Sequence, residues 1–383
     1  MTLHRPLIAA LVALLAACGG GGSSPAPQPI GIALGDPMPG LSADVYAAFE
    51  RGRDLFVRRF AQSEGHGPDF NTSSCRSCHG VPVPGGSSER YRDFVMAGRF
   101  VNDVLEGAFE NEQFVARNFS YERMRREPVP TDADVITSRN APAMFGMGLL
   151  ERIPALDIRR NEDENDLDTD GISGRANLDG FRVGRFGFKA QTADLEGFVR
   201  GPLFNHMGIT TDPLSAGGGV PQVVAPDDSN SDDDGVADPE LSRADLLDLL
   251  VFVRELAPPD PLPMNAEAQR GETLFTQVRC TDCHIPNLVQ VGAPVLAYSD
   301  LLLHDMGAGL ADGIEMKDAT GTEFRTPPLW GVRHHAPYMH DGRADDLDQA
   351  IIAHGGEASG SQALFIGLDA ADRAALIRFL ETR

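Results

Sequence analysis

Apolar positions in this chain recur mostly at helical spacing. Leu249, Leu250 and Phe252 follow Ala244-Asp245, and Leu376, Ile377 and Phe379 follow Ala371-Asp372. Each set lies on an i, i+3, i+4, i+7 face and predicts an amphipathic helix that closes a structural unit. Two matching stretches, Arg51-Gly52-Arg53-Asp54-Leu55-Phe56 and Arg270-Gly271-Glu272-Thr273-Leu274-Phe275, read as the last turns of further amphipathic helices. Few runs alternate with the period of two that a half-buried strand requires. The pattern therefore predicts a mainly α fold with long loops. Ala257-Pro258-Pro259-Asp260-Pro261-Leu262-Pro263 interrupts it as a stiff linker and puts a boundary near residue 262.

One apolar run has a different meaning. Leu7 to Ala17, preceded by His4 and Arg5, is too short to span a bilayer as a stable helix and reads as a targeting segment. It ends Leu15-Ala16-Ala17-Cys18, which resembles a bacterial lipobox. Cleavage before Cys18 with acylation of that residue is expected; ordinary secretion with cleavage nearby is the alternative. The Gly-, Ser- and Pro-rich run after Cys18 cannot pack a core and reads as a flexible tether. The predicted organisation is a signal peptide over 1–17, a tether over 18–40, a first unit over 41–262 and a second over 263–383. Such a product belongs in the bacterial periplasm or at the outer membrane, held to the membrane by its lipid alone.

At 383 residues the chain can bury the cores of two or three domains. Its 56 acidic and 33 basic residues leave a formal charge of −23. That balance excludes nucleic-acid binding, which needs a basic footprint, and favours a basic partner wherever charge steers association.

The five cysteines change the picture most. Cys18 is the lipid site, and the others form Cys75-Arg76-Ser77-Cys78-His79 and Cys280-Thr281-Asp282-Cys283-His284. Each is C-x-x-C-H, the pattern of c-type haem attachment. Two thiols at this spacing bond the vinyl groups of one haem, and the adjacent histidine reaches the iron. A lone C-x-x-C would be ambiguous with zinc or dithiol chemistry; two copies, each followed by histidine, point to two covalent haems. The motifs sit in a longer repeat, because Arg139-Asn140-Ala141-Pro142 through Gly146 echoes Arg325-Thr326-Pro327-Pro328 through Gly331. The expected architecture is two cytochrome c-like domains, the first enlarged by Gly/Asp-rich loop insertions.

Beyond these motifs the chain resembles the di-haem oxidoreductase family, a peroxidase-like group within the bacterial di-haem cytochrome c peroxidase superfamily. The resemblance rests on the segments 146–154, 168–175, 184–189, 207–210, 302–307 and 328–331, and on His340-Asp341-Gly342-Arg343-Ala344 with His354-Gly355-Gly356-Glu357-Ala358. It implies the fold and a redox role without naming a substrate. The family is sometimes called thiol oxidoreductase-like. With lipid and haem accounting for all five cysteines, thiol chemistry here would have to act on a substrate thiol.

The sixth position of each iron decides its job. At the C-terminal haem His354 is the candidate ligand, because the superfamily's methionine ligand falls at about its offset from His340; Met339 is the rival. His340 and His304 read as structural. At the N-terminal haem His206 is the candidate distal group, either an acid/base for a small oxidant such as hydrogen peroxide or an iron ligand. A packed histidine is the plainer alternative, and Met144 and Met147 are fallback ligands. Arg139 and Arg325 are candidates to neutralise haem propionates, and Trp330 either lies between the haems or packs on its own. Asp166, Asp168 and Asp170 with Gly171 match the first half of a calcium loop, to be completed by a residue such as Asp163 or Asn177. Asn230, Asp232 and Asp234 with Asp238 form a second such loop. The functional expectation is a di-haem enzyme of peroxidase type, reacting at the N-terminal haem and exchanging electrons through the C-terminal one. Its electron partner would be a small cytochrome or cupredoxin. A non-catalytic electron-transfer lipoprotein and an oxidase of a partner protein are the alternatives.

Overall fold

The helix that precedes each C-x-x-C-H motif crosses the helix that closes the same unit, and a glycine lies at each crossing. The computed structural model describes residues 31–89, 92–109, 113–122, 128–212, 214, 234–290 and 293–383. In it α1 spans Ala43–Val57, α2 Met147–Glu151, α3 Ala155–Arg159, α4 Leu195–Met207, α5 Arg243–Glu255, α6 Ala266–Gln277, α7 Leu347–Ala353, α8 Ser359–Ile366 and α9 Ala370–Leu380. Ser42, Ser242, Asn265 and Asp369 start α1, α5, α6 and α9 by accepting a backbone N–H in the first turn.

α1 packs on α5 and α6 on α9. A Cβ on Gly52 would stand 2.0 Å from the Asp248 carbonyl oxygen, and one on Gly271 would stand 1.9 Å from that of Ala375. Only hydrogen at these positions lets the helices close. Aromatic rings fill the space beside each crossing: Phe56 on Phe252 at 4.9 Å, and Phe275 on Phe379 at 5.3 Å. Arg51 pairs with Asp248 at 2.6 Å, and Arg270 pairs with Asp372. The same two helices then present Phe56 to His79 and Phe275 to His284, each at 6.3 Å between ring centroids.

The expectation of a mainly α fold is corrected. Helix makes up 33% of the chain and strand 15%, so the fold is mixed, with several small sheets. Strands Phe94–Val101, Val104–Gly107 and Val135–Arg139 form a three-stranded antiparallel sheet centred on the first of them. Its hairpin turns on Asn102 and Asp103, both at positive φ, as a two-residue loop matching strand twist requires. The remaining sheets are pairs of two- or three-residue strands. Segments that short show no period-two signal, which is why they read as loops.

The chain divides into Met1–Gly31, of which only Gly31 is described, and Ile32–Arg383. Cys18 therefore lies outside the described residues. Residues 32–40, expected within the flexible tether, are held instead: Met38 N–H donates to the Glu255 carbonyl at 2.7 Å, and Ala257 N–H to that of Asp36 at 3.0 Å. Backbone pairing of this kind needs no apolar periodicity, so composition alone missed it. Packing does not stop near residue 262 either, since the main core joins Phe49, Phe56 and Leu250 to Leu288, Leu302 and Trp330. Among the described residues no helix is long and apolar enough to cross a membrane.

Candidate functional site

Both C-x-x-C-H motifs fold into the same turn. A short 3-10 helix covers Cys75–Ser77 and Cys280–Asp282, and His79 N–H and His284 N–H donate to the carbonyls of Cys75 and Cys280, each at 2.9 Å. The four cysteines carry no disulfide. Burial pushes the Cys75 and Cys280 thiols up to about 12, so neither is a redox-active thiolate. The Nδ1–H of His79 donates to the Pro142 carbonyl at 2.9 Å, and that of His284 to the Tyr298 carbonyl at 2.8 Å. These bonds fix the tautomer and leave each Nε2 with its lone pair, the arrangement an iron-ligating histidine needs. The Arg-x-x-Pro landmark thus supplies the carbonyl only in the first unit.

A cavity of about 760 Å³ opens beside the first motif, with Cys75, Cys78, His79, Asn71, Phe94 and His206 in its wall. It falls in the size range of small-molecule and cofactor sites. α4 carries His206 on its last turn, and Gly208 ends that helix in the left-handed conformation. Phe94 meets the His206 ring edge-on at 4.7 Å, and the Asn71 side chain reaches its Nδ1 at 3.2 Å. Burial lowers His206 to about 4, helped by the charged forms of His79 and Arg117 nearby. His206 is therefore neutral at pH 7.

At the second motif His354 caps the C-terminal end of α7 and donates Nδ1–H to the Ala350 carbonyl at 2.8 Å. Burial, joined by the charged form of His354, lowers His284 to about 4 against the bond to Tyr298 that raises it. A cluster that sequence reasoning missed stands next to them. His304 meets Asp300 through Nε2 and Glu357 through Nδ1, each at 2.9 Å, with the Cys283 sulfur 3.7 Å from Nδ1. Ser173 donates its N–H and hydroxyl to Glu357 at 3.0 and 2.7 Å. Among the described residues the His340 ring has no such partners; it stacks on Phe324 at 4.4 Å.

The two arginines differ. Arg139 is buried and already paired, gripping Asp312 through Nε and Nη2 at 2.9 and 2.5 Å, while Lys189 Nζ meets the same carboxylate at 3.1 Å. Among the described residues Arg325 donates to the carbonyls of Gly187 and Thr326, both at 3.1 Å, and burial lowers it to about 10 against the opposing charge of Asp300. Trp330 donates Nε1–H to the Phe145 carbonyl at 2.7 Å, which packs it against the first unit.

The first acidic loop closes on a different set of carboxylates from the one its spacing suggested. Asp163, Asp166 and Asp168 bring oxygens within 4.8 Å of one another. Asp170 turns away to pair with Arg279 at 2.6 Å, and Asn177 is buried, donating to the carbonyls of Lys189 and Met316. The spacing rule placed Asp170 in the cluster because it cannot see an arginine 109 residues away. Of the second loop, Asn230 and Asp232 lie outside the described residues, and Asp238 accepts from the Thr210 hydroxyl at 2.6 Å.

The family described as "Di-haem oxidoreductase, putative peroxidase" matches residues 116–383, which include the second motif. The methylamine utilization protein MauG of Methylorubrum extorquens is 29% identical over 137 residues, 32% of this chain and 36% of that protein. Cytochrome-c peroxidase IdrP2 of Denitromonas iodatirespirans is 36% identical over 69 residues, 18% of this chain and 19% of that protein. The matched stretch covers well under half of either relative. Among solved structures, a MauG-like protein associated with microbial copper homeostasis is 21% identical with a TM-score of 0.43, over 90% of this chain and 92% of its own. The diheme peroxidase BthA from Burkholderia thailandensis is 17% identical with a TM-score of 0.44, over 91% and 87%.

Proposed function

The chain belongs to the di-haem oxidoreductase family, and from that premise we propose a peroxidase-type enzyme with two covalent c-type haems in unequal roles. When bound, the haems supply iron that exchanges single electrons, at one site with a small oxidant such as hydrogen peroxide. Cys75 and Cys78 would hold the first and Cys280 and Cys283 the second, with Nε2 of His79 and of His284 offered to the irons. His354, its Nδ1–H committed to Ala350, offers Nε2 as a second strong ligand and makes the C-terminal site an electron-transfer centre. Arg325, a half-buried cation whose guanidinium donates to two carbonyls, suits a propionate better than Arg139, which already shares Asp312 with Lys189.

The observation that carries this reading is that one cavity of about 760 Å³ is lined by Cys75, Cys78, His79 and His206 together, so a haem held there would have His206 beside it. A small oxidant at that haem would then meet in His206 a side chain able to hold a proton against it. Electrons would pass through the C-terminal site to or from a small cytochrome or cupredoxin, whose basic face the charge of −23 favours. Acylation at Cys18 would keep the enzyme on the outer side of a bacterial membrane, and calcium at Asp163, Asp166 and Asp168 would brace the loop that Asp170 ties to Arg279. Absorption and EPR spectra of the purified holoprotein test the central claim. A high-spin fraction is expected in the oxidised or half-reduced form; low-spin iron alone in both would leave a non-catalytic electron carrier.

A further inference from the structure

Asn71 and His206 are 135 residues apart in sequence, yet they are joined twice. Their backbones meet where Asn71 N–H donates to the His206 carbonyl at 2.7 Å, with Thr72 N–H adding a second bond to the same oxygen at 3.2 Å. Their side chains meet where the Asn71 amide approaches Nδ1 of His206 at 3.2 Å. Which amide atom faces the ring is settled by its other neighbours. Asn71 Oδ1 accepts the backbone N–H of Asn118 at 2.9 Å, and Asn71 Nδ2 donates to the Ala116 carbonyl at 2.8 Å. Turning the amide over would set oxygen against oxygen at Ala116 and N–H against N–H at Asn118, losing both bonds. The second hydrogen of Nδ2 therefore points at His206 Nδ1, which must accept it.

We infer that Asn71 is a positioning residue that holds neutral His206 as its Nε2–H tautomer, making it a hydrogen-bond donor to an oxygen in the cavity and denying it to iron as a ligand. A neutral imidazole carries one ring proton, and with Nδ1 accepting, that proton is on Nε2. Among the described residues Nε2 makes no protein hydrogen bond, and Phe94 holds the ring edge-on. The other three histidines at the two motifs are opposite in kind: His79, His284 and His354 all donate from Nδ1 to a carbonyl and keep the lone pair on Nε2. One amide side chain thus separates a donor from three potential ligands. The ligand class this recognises is a small molecule with an acceptor oxygen, peroxide among them. The inference rests on the proposed function for the presence of haem in this cavity, and it narrows the role of His206 from acid/base to donor.

The test reads the tautomer directly. The holoprotein, labelled with nitrogen-15 histidine, is fully reduced and saturated with carbon monoxide so that both irons are diamagnetic, and two-bond nitrogen–proton correlations are recorded. The wild-type His206 ring is expected to show its proton on Nε2 and a bare Nδ1. In Asn71→Asp the carboxylate can only accept, so the proton should move to Nδ1 as in the other three histidines. A wild-type proton on Nδ1, or an unchanged pattern in Asn71→Asp, overturns the inference. If Asn71→Asp does not fold, the wild-type spectrum alone decides. Peroxide added to a carbon monoxide-free, half-reduced sample of the same protein separates the two readings: a correct tautomer with no spectral response to peroxide sinks the peroxidase function and leaves the role of Asn71 standing.

Discussion

Glu357 lies 2.9 Å from Nδ1 of His304, only three residues beyond His354, so a buried imidazole braces the turn that carries the candidate iron ligand. Burial opposes charge on His304, but bonds to Asp300, Cys283 and Glu357 overcome it and raise the ring from 6.5 to about 12. Burial likewise opposes charge on Glu357, and bonds from His304 and Ser173 overcome it, lowering the carboxyl from 4.5 to about 2. A raised histidine stabilises the fold fully below pH 6.5, and that contribution fades as pH climbs toward 12. A lowered carboxylate stabilises it above pH 4.5, and that contribution fades as pH falls toward 2. Urea midpoints should therefore decline from pH 6.5 upward, and His304→Gln should flatten that decline. Equal slopes in the two proteins would mean that the cluster holds no charge.

His354→Met should keep the C-terminal site closed while raising its reduction potential, because thioether favours ferric iron less than imidazole does. His354→Ala should open it and add high-spin signal. Redox titration and EPR read these two outcomes. A potential unmoved by His354→Met would send the sixth-ligand assignment elsewhere, Met339 being the first candidate.

The helix crossings allow a prediction of opposite signs. Gly52→Ala and Gly271→Ala each drive a methyl into a backbone carbonyl 2.0 or 1.9 Å away, and each should cost about 1–3 kcal/mol or more. Gly360→Ala, exposed on α8 with nothing within 4 Å of the new carbon, should stabilise by roughly 0.5–1 kcal/mol. Denaturant midpoints of the three variants check both directions.

Asp312 carries the charge balance of a buried cluster. Asp312→Ala leaves the Arg139 guanidinium and the fully buried Lys189 ammonium without their shared partner. The expected loss is about 3–5 kcal/mol, the usual result of breaking a buried pair from one side. Equilibrium unfolding measures it, and a loss under about 1 kcal/mol would place these charges in contact with water.

Metal analysis of the purified protein should find calcium, and chelation should lower the melting temperature. Asp166→Asn with Asp168→Asn should abolish the chelator effect, whereas Asp170→Asn should weaken only the tie to Arg279. An identical melting curve with and without chelator would return Asp163, Asp166 and Asp168 to the role of a solvated loop.

Much of the site was legible before folding. The thiol spacing, the histidine beside each second cysteine, the repeated Arg-Gly helix ends and the paired closing helices are all set by neighbours along the chain. Bonds and helical turns of fixed length convert such spacing directly into geometry. His206 and His354 could be named the same way, from their offsets to other landmarks. What each could do could not be read, because that depends on where the ring proton lies. Only the tertiary structure brings Asn71 to His206 across 135 residues, Glu357 to His304 across 53, and Asp312 to Arg139 across 173. It also paired strands too short to show alternation and turned Asp170 out of its loop toward Arg279. The physical reason is common to all of these. Hydrogen bonds and ion pairs depend on distance in space, and partners far apart in the chain leave no periodic trace in its order.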